Sequence, residues 1–172
     1  MSDLTPKIYV ACLAAYNSGC LHGIWLDADQ EVDDLQEAIA DMLRESPVPN
    51  AEEHEIQDTD DFGELTIHPY EGLDRICAWA KFIVAHGKLG AAVINYCRGD
   101  IEDATTLMKD CYHGAYDNEA DFVQDFLEQT GETMTIPEKL RSYIDYEKMA
   151  RDWFRSDFFS LDVDGVHVFS KQ

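Results

Sequence analysis

Residues 52–61, EEHEIQDTDD, hold six carboxylates and no lysine or arginine. Carboxylates at this density can coordinate a hard metal ion, work as a general acid and base, keep a surface solvated, or imitate another polyanion. Each chemistry makes its own demand on the neighbouring residues. The residues around this segment can therefore distinguish among these four roles.

A calcium loop is the first possibility, because residues 27–38, DADQEVDDLQEA, resemble one superficially. Val32 stands where the sharp turn of an EF-hand needs glycine, and Ala38 stands where the bidentate glutamate belongs. An EF-hand is therefore disfavoured, while a looser acidic site for Ca²⁺ or Mg²⁺ stays open. We expect no resident metal and no cofactor.

Nucleophilic catalysis is the second possibility. Cys12 or Cys20 with His22, and Cys111 with His113, are neighbours in sequence, which is no evidence of a catalytic pair. The sequence has no P-loop and no GxGxxG motif. Paired catalytic carboxylates stay open, because any acidic chain offers many pairs. We expect a protein that is not an enzyme.

The composition indicates a folded protein with an unusual charge. Hydrophobic residues make up 45% and aromatic residues 11%, enough for a core, yet 35 acids face 13 bases and leave a net charge of −22. Solubility needs a magnitude of only about 2–8. Such a chain repels nucleic acid and anionic membranes, so we expect a basic partner.

Other features predict a cytoplasmic location. The five cysteines form no CxxC pair and are expected to be free thiols in a reducing compartment. The N-terminal residues lack the pattern of a signal peptide. We also expect no stretch to approach the roughly 18 apolar residues of a membrane span.

The acids are spread unevenly along the chain. Residues 27–64 contain fifteen acids and one base, and residues 100–128 contain nine acids and one base. Residues 138–172 contain seven acids and six bases. The negative charge is therefore predicted to lie on particular surfaces.

Hydrophobic periodicity predicts an α+β chain that starts with strands and a helix, continues with helices, and closes with helices and strands. The predicted elements are strands 7–14 and 20–27 as an antiparallel pair, helix 31–45, edge strand 54–58, two helices within 71–97 broken near His86-Gly87, a helix after Asp100, helix 119–129 capped by Asn118, a short helix from Pro137, helix 145–155, and a hairpin of 158–163 and 166–170 through Asp164-Gly165. These elements predict three small domains in line. The first has a sheet and an acidic helix, the second has helices, and the third has helices and short strands.

The predicted helix 31–45 shows how costly the charge pattern is. Glu37, Asp41 and Glu45 are spaced four apart and lie above one another on one face. Each like-charged pair at this spacing costs roughly 0.2–0.5 kcal/mol. A merely solvated face normally interleaves lysine and arginine, so the pattern favours imitation of a polyanion over solvation alone.

Several segments together resemble the ArdA antirestriction family. They are IYVACLAAYNSGCLHGIWLDA, IHPYEGL, CYHGAYDNEADFVQDFLEQTGE, LRSYIDYEKMARDWF and GVHVFS, in family order over nearly the whole length. The resemblance implies an inhibitor carried on plasmids and conjugative transposons that protects incoming mobile DNA. It also implies an elongated, curved homodimer of three small domains per chain, with boundaries near Phe62 and Ala104 that agree with the shifts in composition and give residues 1–61, 62–103 and 104–172. Such a DNA mimic places carboxylates along the phosphate path of B-form DNA and occupies the DNA groove of type I restriction–modification enzymes.

Fifteen carboxylates are the predicted phosphate surrogates: Asp33, Asp34, Glu37, Asp41, Glu45, Glu52, Glu53, Glu55, Asp58, Asp60, Asp61, Asp117, Glu119, Asp121 and Asp125. Cys111, Tyr112, Gly114 and Tyr116 are the predicted dimerisation segment, with packing inside a single chain as the alternative. An acidic adaptor or chaperone for another basic protein would show the same charge pattern. A small hydrolase would instead lose all activity on one substitution.

Overall fold

The computed structural model describes residues 4–171, which form two compact units, 4–104 and 105–171. Helices combine with two small antiparallel sheets, so the predicted α+β class is confirmed. A further boundary near Phe62 stays a prediction. The two units are described separately below.

Unit 1 (residues 4–104) is a three-stranded antiparallel sheet with helices. Its elements are β1 (Lys7–Cys12), α1 (Leu13–Asn17), β2 (Gly23–Asp27), α2 (Val32–Arg44), β3 (His54–Asp60) and α3 (Leu73–Tyr96). The strand order is β2-β1-β3, with Ile8 opposite Leu26 on one side and Thr59 on the other. The predicted antiparallel pair and the predicted edge strand are therefore present. The two paired strands are shorter than predicted, and the edge strand is two residues longer.

The first strand ends at Cys12, two residues before the predicted end. The Cys12 Sγ atom accepts a hydrogen bond from the Ala15 backbone N–H at 3.5 Å and caps α1. Leu13 therefore begins a short helix where continued hydrophobic residues predicted strand. The second strand likewise starts at Gly23 instead of Cys20.

The core of unit 1 is formed by buried residues of the sheet, of α2, which packs on the sheet, and of α3, which packs on α2. Ile8 and Val10 of β1 are fully buried, and Leu35 and Ile39 bury one side of α2. In α3 the backbone turns non-helical at Gly87, with φ 64° and ψ −150°. This left-handed φ suits glycine, and it confirms the predicted break near His86-Gly87.

By length and composition α3 is apolar enough to cross a membrane, so the expectation that no stretch approaches this was wrong. Within its most apolar window, however, 61% of the residues are buried inside the protein. Burial of this extent is what the core helix of a globular unit shows.

Unit 2 (residues 105–171) is built on a second three-stranded sheet. The helix α4 (Ile101–Thr106) spans the division between the units. After it come a π-helical turn (Leu107–Cys111), β4 (Tyr112–Tyr116), α5 (Glu119–Gln129), a 3₁₀ turn (Glu132–Thr135), α6 (Glu138–Arg141), α7 (Tyr146–Ser156), β5 (Phe158–Asp162) and β6 (Val166–Ser170). The strand order is β4-β6-β5, all antiparallel. Its core is formed by Phe122, Val123, Leu127, Ala150 and Val168.

The predicted helix starts in this half of the chain are confirmed by their caps. The Asp121 backbone N–H donates to Asn118 Oδ1 at 2.9 Å, and the Asp103 N–H donates to Asp100 Oδ1 at 3.0 Å. The hairpin of β5 and β6 turns through Asp164 and Gly165, both at positive φ. The strand β4 was not predicted.

Candidate functional site

The most acidic helix, α2, holds its carboxylates away from the core. Leu35, Ile39 and Met42 recur at helical spacing and are buried, which turns the other side of the helix to solvent. Asp33, Asp34, Glu37 and Asp41 are all exposed, as is Glu45 just after the last turn. Carboxylates four residues apart on such a helix are separated by about 6 Å along the axis.

The first two of these acids also stabilise the helix that carries them. Asp33 and Asp34 lie in the first turn of α2, where the partial positive charge of the helix N-terminus favours anions. Asp41 forms an ion pair with Arg44, three residues along. Glu37, which lies four residues from both Asp33 and Asp41, has neither of these local benefits and faces two like charges.

The second group of acids lies on β3 and the segment before it. Glu52 and Glu53 are exposed, and so are Asp58 and Asp60 on the strand. Asp61 sits in the left-handed region at φ 60°, where its Oδ2 accepts a hydrogen bond from the Thr5 backbone N–H at 2.9 Å. Asp61 therefore ties the end of β3 to the start of β1.

The third group lies in unit 2, around the start of α5. Asp117 and Asp121 are exposed. Glu119 is half-buried, and its Oε1 accepts a hydrogen bond from Ser160 Oγ at 2.8 Å. Asp125 is half-buried too and accepts from the Tyr116 hydroxyl at 3.2 Å.

Exposure thus divides the fifteen predicted surrogates into two classes. Eleven are exposed and can meet a partner without rearrangement. Four are half-buried and hydrogen-bonded inside their own unit: Glu55, Asp61, Glu119 and Asp125. The role of all fifteen toward a partner stays a prediction.

The predicted dimerisation segment makes contacts within unit 2. Cys111 is buried, and the Tyr112 hydroxyl lies 2.8 Å from His167 Nδ1. Tyr116 packs edge-on against Phe122, with ring centroids 5.3 Å apart. Burial, and then the hydrogen bond to Asp125, raise the pKa of Tyr116, so the phenol stays a donor at neutral pH. A role for these residues between two chains stays a prediction.

Three of the side chains considered for nucleophilic chemistry, Cys12, His22 and His113, make other contacts. Cys12 Sγ lies 3.2 Å from Ser46 Oγ, and His22 Nε2 lies 2.7 Å from the Met42 carbonyl oxygen. His113 packs its ring against Phe122, Phe126 and Phe158, and this burial lowers the pKa of His113. Among residues 4–171, no three His, Cys, Asp or Glu side chains are grouped to hold a metal ion.

One aromatic pair, which lies on the sheet of unit 1, was not singled out from the sequence. Tyr9 and Trp25 lie side by side on the sheet of unit 1, with ring centroids 5.5 Å apart, and Asp27 follows two residues after Trp25. The alternation of Lys7 and Tyr9 on one strand, and of Trp25 and Asp27 on the next, was the available signal. It puts these four side chains on one face of the sheet.

The family of the chain follows from one comparison. A family model described as antirestriction protein (ArdA) matches residues 8–167, almost the whole chain. No curated protein matches the sequence. The match confirms the resemblance drawn from the quoted segments and supports an antirestriction function, directed at restriction enzymes in general.

Proposed function

From the premise that this chain belongs to the ArdA antirestriction family, we propose that it inhibits type I restriction–modification enzymes as a mimic of DNA. Its exposed carboxylates occupy the groove that binds DNA, so that incoming mobile DNA escapes cleavage. The observation that carries this proposal is the exposure of eleven predicted surrogates on α2, on β3 and its approach, and around the start of α5.

The charge of the chain suits this role in amount. A net charge of −22 equals the phosphate charge of about 11 base pairs of duplex DNA. We propose a homodimer, which would carry −44, the charge of about 22 base pairs. Carboxylates about 6 Å apart on α2 supply about half the charge density of one DNA strand, where phosphates lie about 3.4 Å apart, so several acidic elements must act together.

The binding partner follows from the same electrostatics. A groove that binds DNA is lined with lysine and arginine, and DNA gains affinity there by releasing counterions. Preformed carboxylates compete with DNA for the same lysine and arginine side chains, and the opposite charges also speed the association of the two proteins. Because phosphate contacts position DNA without reading its sequence, inhibition extends to enzymes with different recognition sequences.

The proposed mechanism needs no catalysis, cofactor or nucleic acid. A protein that imitates phosphates offers no base to methylate and no phosphodiester to cleave. The enzyme is held in a complex that it cannot turn over, and the setting is the cytoplasm, where incoming DNA meets restriction enzymes.

The test is competition for DNA on the core methyltransferase of a type I enzyme. A fluorescently labelled duplex is bound first, and the purified chain is titrated at several salt concentrations from about 50 to about 200 mM, a range over which phosphate-type contacts weaken steeply. We expect displacement that is equal for duplexes of different sequence and weaker at higher salt. A second enzyme with another recognition sequence is the control for generality.

Two outcomes would contradict the proposal. No displacement at micromolar protein would favour the acidic adaptor for another basic protein. Displacement that depends on the sequence of the duplex would mean that the chain does not act through the phosphate contacts.

A further inference from the structure

The sheet of unit 1 has two unlike faces. On one face Ile8, Val10 and Leu26 are buried, and α2 packs against the sheet. On the other face Tyr9 lies between Trp25 of β2 and Asp58 of β3. Trp25 remains 46% exposed there, although a large aromatic side chain on a globular unit is normally covered.

The aromatic pair on this open face is held in a fixed orientation. The rings of Tyr9 and Trp25 are tilted by 48° at 5.5 Å between centroids. A side chain at Gly23 would place its Cβ 2.7 Å from the Tyr9 hydroxyl oxygen, so glycine leaves the space in which the Tyr9 ring lies over β2. Trp25 therefore lies beside the Tyr9 ring with part of its surface exposed.

Carboxylates surround this aromatic surface. In the next register position Lys7 lies between Asp27 and Asp60, and the Lys7 Nζ atom is 3.2 Å from Asp27 Oδ1. Asp58 is exposed directly across from Tyr9. The face thus places three carboxylates and one lysine around an aromatic ring. Its net negative charge favours the binding of a further cation.

Elsewhere in the same chain, an arginine side chain does contact both a tryptophan ring and a carboxylate. In α3 the guanidinium carbon of Arg75 lies 4.8 Å from the centre of the Trp79 ring, and its Nη1 lies 3.3 Å from Glu71 Oε1. Arginine is suited to this position because its planar group can stack on a ring while its N–H groups donate to a carboxylate. Among residues 4–171, the open face has a tryptophan and carboxylates, and no arginine is recorded over Trp25.

We infer that the Tyr9–Trp25 face of unit 1 binds an arginine side chain of the inhibited enzyme, an inference that rests on the proposed function. The guanidinium stacks on Trp25 and donates to Asp27 or Asp58. A second copy of this chain is a poor occupant, because it would bring another strongly negative surface. An apolar segment is also poor, because it would bury the carboxylates without partners. This contact has no counterpart in the DNA phosphates, so it adds affinity that charge imitation alone does not supply.

The test compares Trp25→Leu with Trp25→Phe in the DNA-competition assay. Leucine keeps an apolar side chain and removes the π-face, whereas phenylalanine keeps a π-face. We expect Trp25→Leu to weaken displacement of DNA by about 3- to 10-fold, the range of a partly desolvated cation–π contact, and Trp25→Phe to retain most of it. Tyr16→Leu is the control, because Tyr16 is 56% exposed on α1 in the same unit and should have no effect.

A double-mutant cycle with Asp58→Asn sharpens the test. If one arginine contacts both residues, the combined loss should be smaller than the product of the separate losses by about 2-fold or more, because neighbouring contacts do not act independently. Asp58 is exposed, so this variant should keep the fold; if Trp25→Leu unfolds, Trp25→Gln, which also removes the π-face, takes its place in the cycle. Thermal unfolding of each variant shows which comparisons are made on folded protein.

The outcomes separate this inference from the proposed function. Displacement by wild-type protein, with equal displacement by folded Trp25→Leu, would overturn the inference and leave the function standing. A change in sedimentation of Trp25→Leu would show that the face joins two copies of the chain, which also overturns it. A wild-type protein that displaces no DNA would overturn both.

Discussion

The helices α2 and α7 have the same construction and opposite surfaces. Each is amphipathic and turns one side to the core of its unit, with Leu35 buried in α2 and Ala150 buried in α7. Within their bounds α2 carries four acids and one base, whereas α7 carries two acids and three bases. Since α7 folds with interleaved charges, packing a helix in this protein does not require an acidic surface.

The two helices differ in how their surface charges interact. Arg155 of α7 forms an ion pair with Asp152, the arrangement expected of a solvated helix. On α2 Asp41 also pairs with Arg44, but Asp33, Glu37 and Asp41 recur four residues apart and repel one another at a cost of about 0.2–0.5 kcal/mol for each pair. A cost that the fold does not need points to a partner, and the proposed partner is the basic groove of a restriction enzyme.

The largest expected effect comes from neutralising all four carboxylates of α2. Four neutral replacements on α2 should weaken displacement of DNA by about 30- to 100-fold, because each exposed ion pair is worth about 0.2–1 kcal/mol and four act together. The loss should build up gradually as the changes are combined. The changes are Asp33→Asn, Asp34→Asn, Glu37→Gln and Asp41→Asn.

The matched control is made on α7. Glu147→Gln with Asp152→Asn removes two exposed carboxylates that lie among bases, and displacement should stay within about twofold of wild type, since these pairs contribute little to a partner. An equal loss for each neutralised carboxylate on the two helices would show that total charge matters and its position does not. A complete loss from one change on α2 would contradict distributed imitation.

A smaller effect should separate half-buried from exposed acids in unit 2. Glu119→Ala removes the acceptor of the Ser160 hydroxyl and should lower the free energy of unfolding by about 1–2 kcal/mol, since a partly buried donor loses its charged partner. Displacement measured on the folded variant should change by less than about twofold, because half-buried Glu119 is not free to meet a partner. Chemical denaturation and the DNA-competition assay measure the two quantities.

Asp117→Asn is the control for that experiment. Asp117 is exposed, so its neutralisation should leave the free energy of unfolding within about 0.5 kcal/mol and weaken displacement by about twofold. If Glu119→Ala abolishes displacement while the folded state stays as stable as wild type, then Glu119 belongs with the exposed surrogates and the division into two classes is wrong.

The smallest effect has opposite signs on the two helices. Glu37→Gln relieves repulsion from Asp33 and Asp41, so it should raise the free energy of unfolding by about 0.5 kcal/mol. Glu147→Gln removes an attraction to Arg151, four residues along, and should lower it by about 0.3 kcal/mol. Denaturant titrations at low salt measure both changes. Equal signs would contradict the electrostatic difference between α2 and α7.

Local chemistry explains what could be predicted from the sequence. The helix Glu119–Gln129 has the predicted bounds because Asn118 and the backbone N–H of Asp121 are three residues apart, within reach of one another in any context. The break at Gly87 and the hairpin turn at Asp164-Gly165 are also decided within a few residues. The surplus of acids between residues 27 and 64 is a property of composition and needs no fold.

Contacts between distant residues explain what could not be predicted. The strand β4 pairs with β6, where Tyr116 lies opposite Val166 fifty positions later, and its sequence YHGAY has none of the β-branched residues that mark most of the other strands. Glu119 meets Ser160 across 41 positions, and Asp61 meets Thr5 across 56. Which predicted acids remain available to a partner therefore depended on pairings that no local pattern contains.

The amino-acid sequence by itself determined the family, the α+β class and the amount and placement of charge along the chain, because these depend on residue types and short spacings. The tertiary structure alone decided which carboxylates are exposed and which are tied inside a unit. It also set Trp25 beside Tyr9 among the acids of a neighbouring strand. Burial and neighbourhood arise from chain segments brought together over long separations, and only the folded chain specifies those meetings.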